Sequence, residues 1–257
     1  MKRVVIIPAR MGSRRYPGKL LLGIDGQTLL KRCYEDVYQA TVHMYEMGVS
    51  PQIPIYIATP DKAIEEEVSE WASSEKIIKT PLECRNGTER VAMAAKLLGL
   101  EDEDIIVNTQ ADQYGFSDKG FLEVLMSLIE HGANLATAVC PLQDSDLENR
   151  HVVKASVDVK EGEVDIVSWF ARTIPYSFHE SANLYRHVGI YAARKKMFDW
   201  YLKKEPTGSE KAFDLEQLRW KHPFAVCYLA AGPVTIDVPP ASLSYAKGGI
   251  SNARGIY

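Results

Sequence analysis

The segment Pro8-Ala9-Arg10-Met11-Gly12-Ser13-Arg14-Arg15-Tyr16-Pro17-Gly18-Lys19 holds four cations, a serine hydroxyl and two glycines. Main-chain amides bond phosphate oxygens, and guanidinium and ammonium groups neutralise them, so this set has the parts to hold a triphosphate. Its spacing is neither the dinucleotide-binding glycine pattern nor a P-loop. Basic runs are usually solvated surface. The position directly after a first strand, where α/β sheets bind ligands, favours the binding role here. A second cluster, Arg85-Asn86-Gly87-Thr88-Glu89-Arg90, sits where a loop enters a helix. Thr88 is either a plain N-cap or part of a helix N-terminus that holds a ligand's polar groups. A third, Asn108-Thr109-Gln110-Ala111-Asp112, ends the run Ile105-Ile106-Val107. A carboxylate there, across from a polyphosphate loop, suits Mg²⁺, which takes one or two carboxylates plus phosphate oxygens and water. The plainer alternative is a loop-capping aspartate. Asp237 follows a strand-like stretch, and the two carboxylates make one metal site if the fold joins them.

These groups need a frame. The 257 residues suit one large α/β domain or two small ones. An apolar share of 46% and a charged share of 25% exclude disorder, collagen and a disulfide-stapled miniprotein. A net charge of −4 gives no strong basic field for duplex nucleic acid, yet leaves room for a local anion site. Cys33, Cys84, Cys140 and Cys227 show no paired spacing, which reads as reduced core thiols in the cytoplasm rather than a metal cluster or redox pair. No stretch reads as a membrane span, and Val4–Ile7, stopped by Pro8 and Arg10, reads as a buried strand rather than a signal peptide. The periodicity predicts strands at Val4–Ile7, Ile53–Ala58, Ile77–Ile78, Asp104–Asn108 and 134–140. Between them come helices at Thr28–Ala40, from Asp61, at Thr88–Leu98 and at 118–131. The Thr28–Ala40 stripe is Leu29, Leu30, Cys33, Tyr34, Val37 and Tyr38. Such alternation implies a parallel sheet covered on both faces. The second half predicts a hairpin over 152–170 turning at Lys160–Glu163, a strand at 185–193 and another at 224–230. Helices are expected at 195–204 and 212–221, and the tail after Pro240 carries weak signals.

The segments Val4–Lys19, NGTER (Asn86–Arg90), IVNTQAD (Ile106–Asp112), VVKASVD (Val152–Asp158), RHVGIYAAR (Arg186–Arg194), LEQLR (Leu215–Arg219) and IDVP (Ile236–Pro239) resemble, in order, motifs of the 3-deoxy-manno-octulosonate (KDO) cytidylyltransferases. The opening motif marks a broad group of sugar-activating nucleotidyltransferases; RHVGIY with LEQLR narrows the likeness to the KDO branch. The resemblance implies a nucleotidyltransferase-type, Rossmann-like α/β fold. Its sheet is mostly parallel, with helices on both faces and a small antiparallel addition. One domain over 1–257 is expected, with a dimerisation region around 150–193, hence a cytoplasmic homodimer without nucleic-acid or membrane partners. The implied reaction joins CTP to a 2-keto-3-deoxy sugar acid with Mg²⁺, as lipopolysaccharide synthesis requires. By matching positions, Arg10, Gly12, Ser13, Arg15 and Lys19 hold the triphosphate, with Gly87, Thr88 and Arg90 near the cytidine. Gln110, Arg172, His187, Tyr191, Glu216 and Gln217 face the sugar acid, and Asp112 and Asp237 ligate Mg²⁺. Arg10, Arg15, Lys19, Asp112 and Asp237 form the implied catalytic set.

Without the resemblance, His187 and Tyr191 read as hydrogen-bonded core residues, and Glu216 and Gln217 as exposed helix positions. Three departures stand out. Gln110-Ala111-Asp112-Gln113-Tyr114 replaces a QGDEP pattern, Phe170-Ala171-Arg172-Thr173-Ile174-Pro175 is one residue shorter than FSRxxIP, and Pro240-Ala241-Ser242 replaces acidic residues. The alternatives are a sialic-acid-type cytidylyltransferase, a phosphosugar nucleotidyltransferase and a nucleotide-binding homologue without catalysis.

Overall fold

The structure, a computed structural model, describes residues 1–13, 16–116, 118–159, 161–174 and 183–236. The chain opens on β1 (Arg3–Pro8), whose Val4–Ile7 core is covered on both faces, as a central parallel strand requires. A tight hairpin, β2 (Gly23–Ile24) and β3 (Gln27–Thr28), turns through Asp25 and Gly26, both at positive φ. It delivers α1 (Leu29–Glu46), capped by the Thr28 hydroxyl, which accepts from the Lys31 N–H at 3.2 Å. The helix runs past Ala40 because Thr41 and Met44 continue its buried face, whereas Tyr38, counted into the stripe by spacing, is exposed.

Strands and helices then alternate through β4 (Ile55–Thr59), α2 (Lys62–Ser69), β5 (Ile77–Lys79), α3 (Gly87–Leu97) and β6 (Ile105–Thr109). Next come β7 (Gln113–Tyr114), α4 (Phe121–Glu130), β8 (Leu135–Pro141) and the single turn α5 (Asp144–Leu147). The expected antiparallel hairpin is β9 (Lys154–Asp158) and β10 (Ile166–Ala171). The described chain ends with β11 (Leu184–Arg194), α6 (Lys195–Leu202), α7 (Gly208–Phe213), β12 (Phe224–Tyr228) and β13 (Val234–Thr235). The tail after Pro240 lies outside the described residues.

The main sheet has the order β5-β4-β1-β6-β11-β8-β12-β10-β9. Six of these strands, β5, β4, β1, β6, β8 and β12, share one direction, and β11 enters antiparallel between β6 and β8. The first residues of β11 also pair with β9, closing β11, β8, β12, β10 and β9 into a ring. One face is covered by α1, α2 and α4, the other by α3 and α6. Among the described residues, no helix is long and apolar enough to cross a membrane.

Two local expectations are corrected. Asp61 precedes α2 but makes no capping bond; its carboxylate instead accepts the Met11 N–H at 2.8 Å, anchoring the loop after β1. No helix spans 212–221. A capping box between Thr207 and Glu210 starts α7 earlier, Asp214 at φ 52° stops it, and Glu216–Arg219 forms a 3-10 turn. Periodicity failed as a guide because this segment buries polar and charged side chains: Glu210, Gln217 and Arg219 lie inside while Phe213 is exposed.

That buried charge fixes the turn. Arg219 donates to Glu210 through Nε at 2.7 Å and Nη2 at 2.5 Å, and to Glu89 of α3 through Nη1 at 2.6 Å. Its guanidinium lies over the Tyr201 ring, 4.2 Å from the centroid. The Tyr201 hydroxyl accepts from Asn86 Nδ2 at 2.9 Å and donates to the Glu216 carbonyl at 3.1 Å. The start of α3 and the 216–219 turn are thereby locked together. Burial pulls the Glu89 carboxyl upward, but bonds from Arg219 and Arg85 outweigh it and hold the group below its ordinary value. Its contribution is therefore complete above pH 4.5 and fades as pH falls through the lower folded-state value. Glu89→Gln should lose about 3 kcal/mol in urea unfolding at pH 7, the cost of breaking a buried pair. The gap to the parent should narrow below pH 4.5; a gap independent of pH would contradict the assignment.

Candidate active site

A cavity of about 810 Å³ opens over the carboxyl ends of β1 and β6, where a parallel sheet exposes loops and helix N-termini. Arg10, Ser13 and Lys19 of the loop after β1 line it, whereas Gly12 does not. Arg15 lies outside the described residues. The loop closes on itself: the Met11 carbonyl accepts from the Ser13 N–H at 2.9 Å and the Gly18 N–H at 3.0 Å. Gly18 needs its glycine, at φ 75°, to start the 3-10 turn that buries Lys19.

Lys19 Nζ donates to Asp112 Oδ2 at 2.5 Å and to the Ile236 carbonyl at 2.8 Å. Asp112 Oδ1 is buried without a hydrogen-bond partner among the described residues. The β7–β13 ribbon carries the chain back to this point, and the Ile236 N–H donates to the Asp112 carbonyl at 3.1 Å. Asp237, the other expected metal ligand, lies outside the described residues. A buried carboxylate oxygen without a partner among the described residues, in a residue of the cavity wall, fits a cation. Among the described residues no group of three metal-ligating side chains occurs, which is compatible with Mg²⁺ because that ion takes few protein ligands.

The expected cytidine side is mixed. Gly87 sits close to the first strand's end, since a Cβ there would crowd Pro8 Cγ at 3.3 Å. Thr88 does not line the cavity; its hydroxyl is buried behind the wall and accepts from Asn108 Nδ2 at 3.4 Å. Its N–H is also taken, by Glu216 Oε2 at 3.2 Å. Arg90 faces the cavity while almost fully buried, bonding Thr80 Oγ1 at 2.6 Å and the Pro81 carbonyl at 3.2 Å.

On the other side, Gln110, Arg172, His187, Tyr191, Glu216 and Gln217 all line the same cavity. The Gln110 side chain lies across Gly189, where β11 bulges; a Cβ would sit 2.9 Å from Gln110 Cδ. The Tyr191 hydroxyl donates to Gln217 Oε1 at 3.4 Å. Burial raises the Glu216 carboxyl, and its Oε1 has no partner. Arg172 spends its donors on main-chain carbonyls: Phe213 at 3.1 Å, Asp214 at 3.0 Å, Arg150 at 3.3 Å and His151 at 3.5 Å. The Gln113-Tyr114 departure forms β7. Gln113 Oε1 is buried without a partner, and Tyr114 lies under Arg32, which also bonds the Ile24 carbonyl and Asp25. Ala111 is absorbed into the apolar core.

Sequence reasoning missed Asp61, Gln113, Asn149, His151 and Arg186, of which all but Asp61 line the cavity. The signal for Arg186 was a charged residue inside a strand motif; the loop 149–151 offered none.

This fold, with a cation loop after β1 and a carboxylate after β6 facing a polar pocket, defines a nucleotidyltransferase. The cytidylyltransferase family model matches residues 4–230, and the chain belongs to that family. It is similar to the 3-deoxy-manno-octulosonate cytidylyltransferase of Chlamydia trachomatis serovar A, 33% identical over 222 residues, covering 85% of this chain and 81% of that one. It is also similar to the enzyme of that name from Vibrio vulnificus strain YJ016, 32% identical over 253 residues, covering 93% and 94%. Among solved structures it resembles a CMP:2-keto-3-deoxy-manno-octonic acid synthetase complexed with CTP, with a TM-score of 0.74 and 25% identity over 93% and 94% of the two chains.

The His187 environment fixes its tautomer. The Thr137 hydroxyl donates its one proton to the Ile190 carbonyl at 2.7 Å, so it accepts from His187 Nε2, 3.0 Å away. Nδ1 then carries the lone pair and has no partner among the described residues. Burial pushes the imidazole pKa down to about 3. Nitrogen NMR on labelled protein should show a neutral Nε2–H ring from pH 8 to pH 5. A ring that titrates near pH 6.5, the ordinary value, would contradict this environment.

Proposed function

We propose that the protein transfers a cytidylyl group from CTP to 3-deoxy-manno-octulosonate or a close 2-keto-3-deoxy sugar acid, releasing pyrophosphate. The observation that carries this reading is Asp112. One of its oxygens is held by the triphosphate-loop lysine, the other is buried with no hydrogen-bond partner among the described residues, and the residue lines the same pocket as Gln110, His187 and Gln217. The names of the relatives and of the CTP-bound neighbour support the choice of nucleotide and sugar.

Arg10, Ser13 and Lys19 receive the triphosphate, and Arg90 and Gly87 border the nucleoside end. The sugar acid lies against Gln110, Tyr191, Glu216 and Gln217, with His187 Nδ1 ready to accept a hydroxyl proton in a hydrogen bond. The anomeric oxygen attacks the α-phosphorus, the bond to the β-phosphate oxygen breaks, and pyrophosphate leaves with that electron pair. The attacking hydroxyl gives its proton to solvent. Such a displacement needs positioning and charge neutralisation more than covalent help. Asp112 and Asp237 would hold Mg²⁺, which when bound would supply charge neutralisation at the phosphate oxygens and a lowered pKa for the attacking hydroxyl. The active form in this reading is a homodimer in the cytoplasm, joined through the region around 150–193.

Pyrophosphate release with CTP should require Mg²⁺ and appear with KDO, but not with sialic acid or a sugar 1-phosphate. Asp112→Asn keeps shape and removes charge, and should lower turnover on the order of 10²–10³-fold. Full turnover in that variant, or release with sugar 1-phosphates alone, overturns the reading. Light scattering at micromolar concentration should give the mass of two chains.

A further inference from the structure

Two arginines face the sugar side of the cavity in opposite states. Arg172 is committed: its four carbonyl bonds tie the 150–151 loop to the end of α7. Arg186, in β11, is not. Among the described residues its guanidinium makes one hydrogen bond, from Nη2 to Thr235 Oγ1 at 3.4 Å, near the limit for such a bond. Asp146 lines the same wall, but its carboxylate accepts the Gln143 N–H at 3.2 Å inside its own cap and makes no ion pair with Arg186. Gly232 lies beside Arg186 and makes room for Cys140. A Cβ there would lie 2.7 Å from Cys140 Sγ and 3.8 and 3.9 Å from Arg186 Cδ and Cζ. Gly232 is not in the left-handed region, so space is the reason for glycine.

Placement matters as much as availability. Thr235 pairs with Gln113, and the next residue, Ile236, bonds both Asp112 and Lys19. Arg186 therefore reaches the strand whose next residue bonds the Asp112 main chain. In the ring form of a 2-keto acid, the anomeric carbon bears both the attacking hydroxyl and the carboxylate. The carboxylate carbon is thus two bonds from the attacking oxygen, and whatever reads it must stand beside the reaction centre. Arg172, tethered to loops by its own bonds, is not so placed.

We propose that Arg186, held against Thr235 and open to the cavity, reads the carboxylate of the 2-keto sugar acid and so selects an acid substrate. This rests on the proposed transfer to such an acid. A guanidinium fork suits a carboxylate because two parallel N–H donors match its two oxygens.

The test compares the parent with Arg186→Gln, Arg186→Lys and Arg172→Gln, using KDO and its C1 carboxamide as acceptors and calorimetry for CTP. In Arg186→Gln, KM for the acid should rise about 10–100-fold, the loss of hydrogen bonds to a charged group. CTP affinity should hold, which also shows the variant folded, and the preference for acid over amide should collapse. Arg186→Lys should fall between, keeping charge without the fork. Arg172→Gln should retain the acid preference whatever its turnover. An intact acid preference in Arg186→Gln, or its loss in Arg172→Gln, overturns the assignment. A parent protein that releases no pyrophosphate with any 2-keto sugar acid overturns the underlying reading, and this assignment with it.

Discussion

The bond between the Lys19 ammonium and the Asp112 carboxylate, with the Ile236 carbonyl as third partner, joins segments 93 and 217 residues away from Lys19. Both side chains are mostly shielded from water, and removing such ions from water costs several kcal/mol each. A hydrophobic pair would serve stability as well. What the charged pair does is geometric: the loop after β1, the end of β6 and the β13 ribbon must meet at one point. The family's expected triphosphate ligand and the closure of the fold therefore share one atom, Lys19 Nζ.

From that junction the two halves of the site follow different physics. The side expected to take the nucleotide is built from loops at the carboxyl ends of parallel strands, where amides and cations are at hand. The side expected to take the sugar is built from an antiparallel strand pushed into the middle of the sheet. β11 bulges at Gly189, letting Gln110 cross its backbone while His187 and Tyr191 face the cavity. The 216–219 turn meets it from outside, held by the Arg219 network rather than by apolar packing. Buried acceptors without a partner among the described residues occur in three residues of this wall, Asp112, Gln113 and Glu216. A buried acceptor left alone costs about 1–3 kcal/mol, so three beside one cavity mark a surface shaped for a ligand's donors or cation.

The parallel half was legible because its signals are local. β1 and β6 are β-branched runs, α1 carries an apolar stripe, and the cation loop follows its strand directly. The hairpin β9–β10 was legible for the same reason. The position of β11 was not, since nothing in Leu184–Arg194 says that its neighbours are β6 and β8, far away in sequence. The 212–221 helix failed because periodicity assumes that the inside is apolar, and here the inside holds Glu210 and Arg219. His187, Tyr191 and Gln217 entered the site through resemblance; spacing alone would have left them as core or surface. Arg186 and Gln113 escaped both routes, because their role depends on the β7–β13 ribbon, two residues wide on each side.

Arg90 and Arg219 show how burial separates support from function. Both guanidiniums are almost fully hidden, on the same helix face and the turn that meets it. Arg219 is matched by two carboxylates and an aromatic face, and its pKa is raised despite the cost of burial. Arg90 has a hydroxyl and a carbonyl within reach; burial pushes its pKa down, and it lines the cavity. A paired buried arginine stabilises the framework and asks for nothing more. One without a carboxylate beside it is held at a cost that an anionic ligand offsets. A chain of net charge −4 thus concentrates positive charge at Arg10, Arg90 and Arg186 around one cavity. The local field rather than the overall charge is what draws anions to that place.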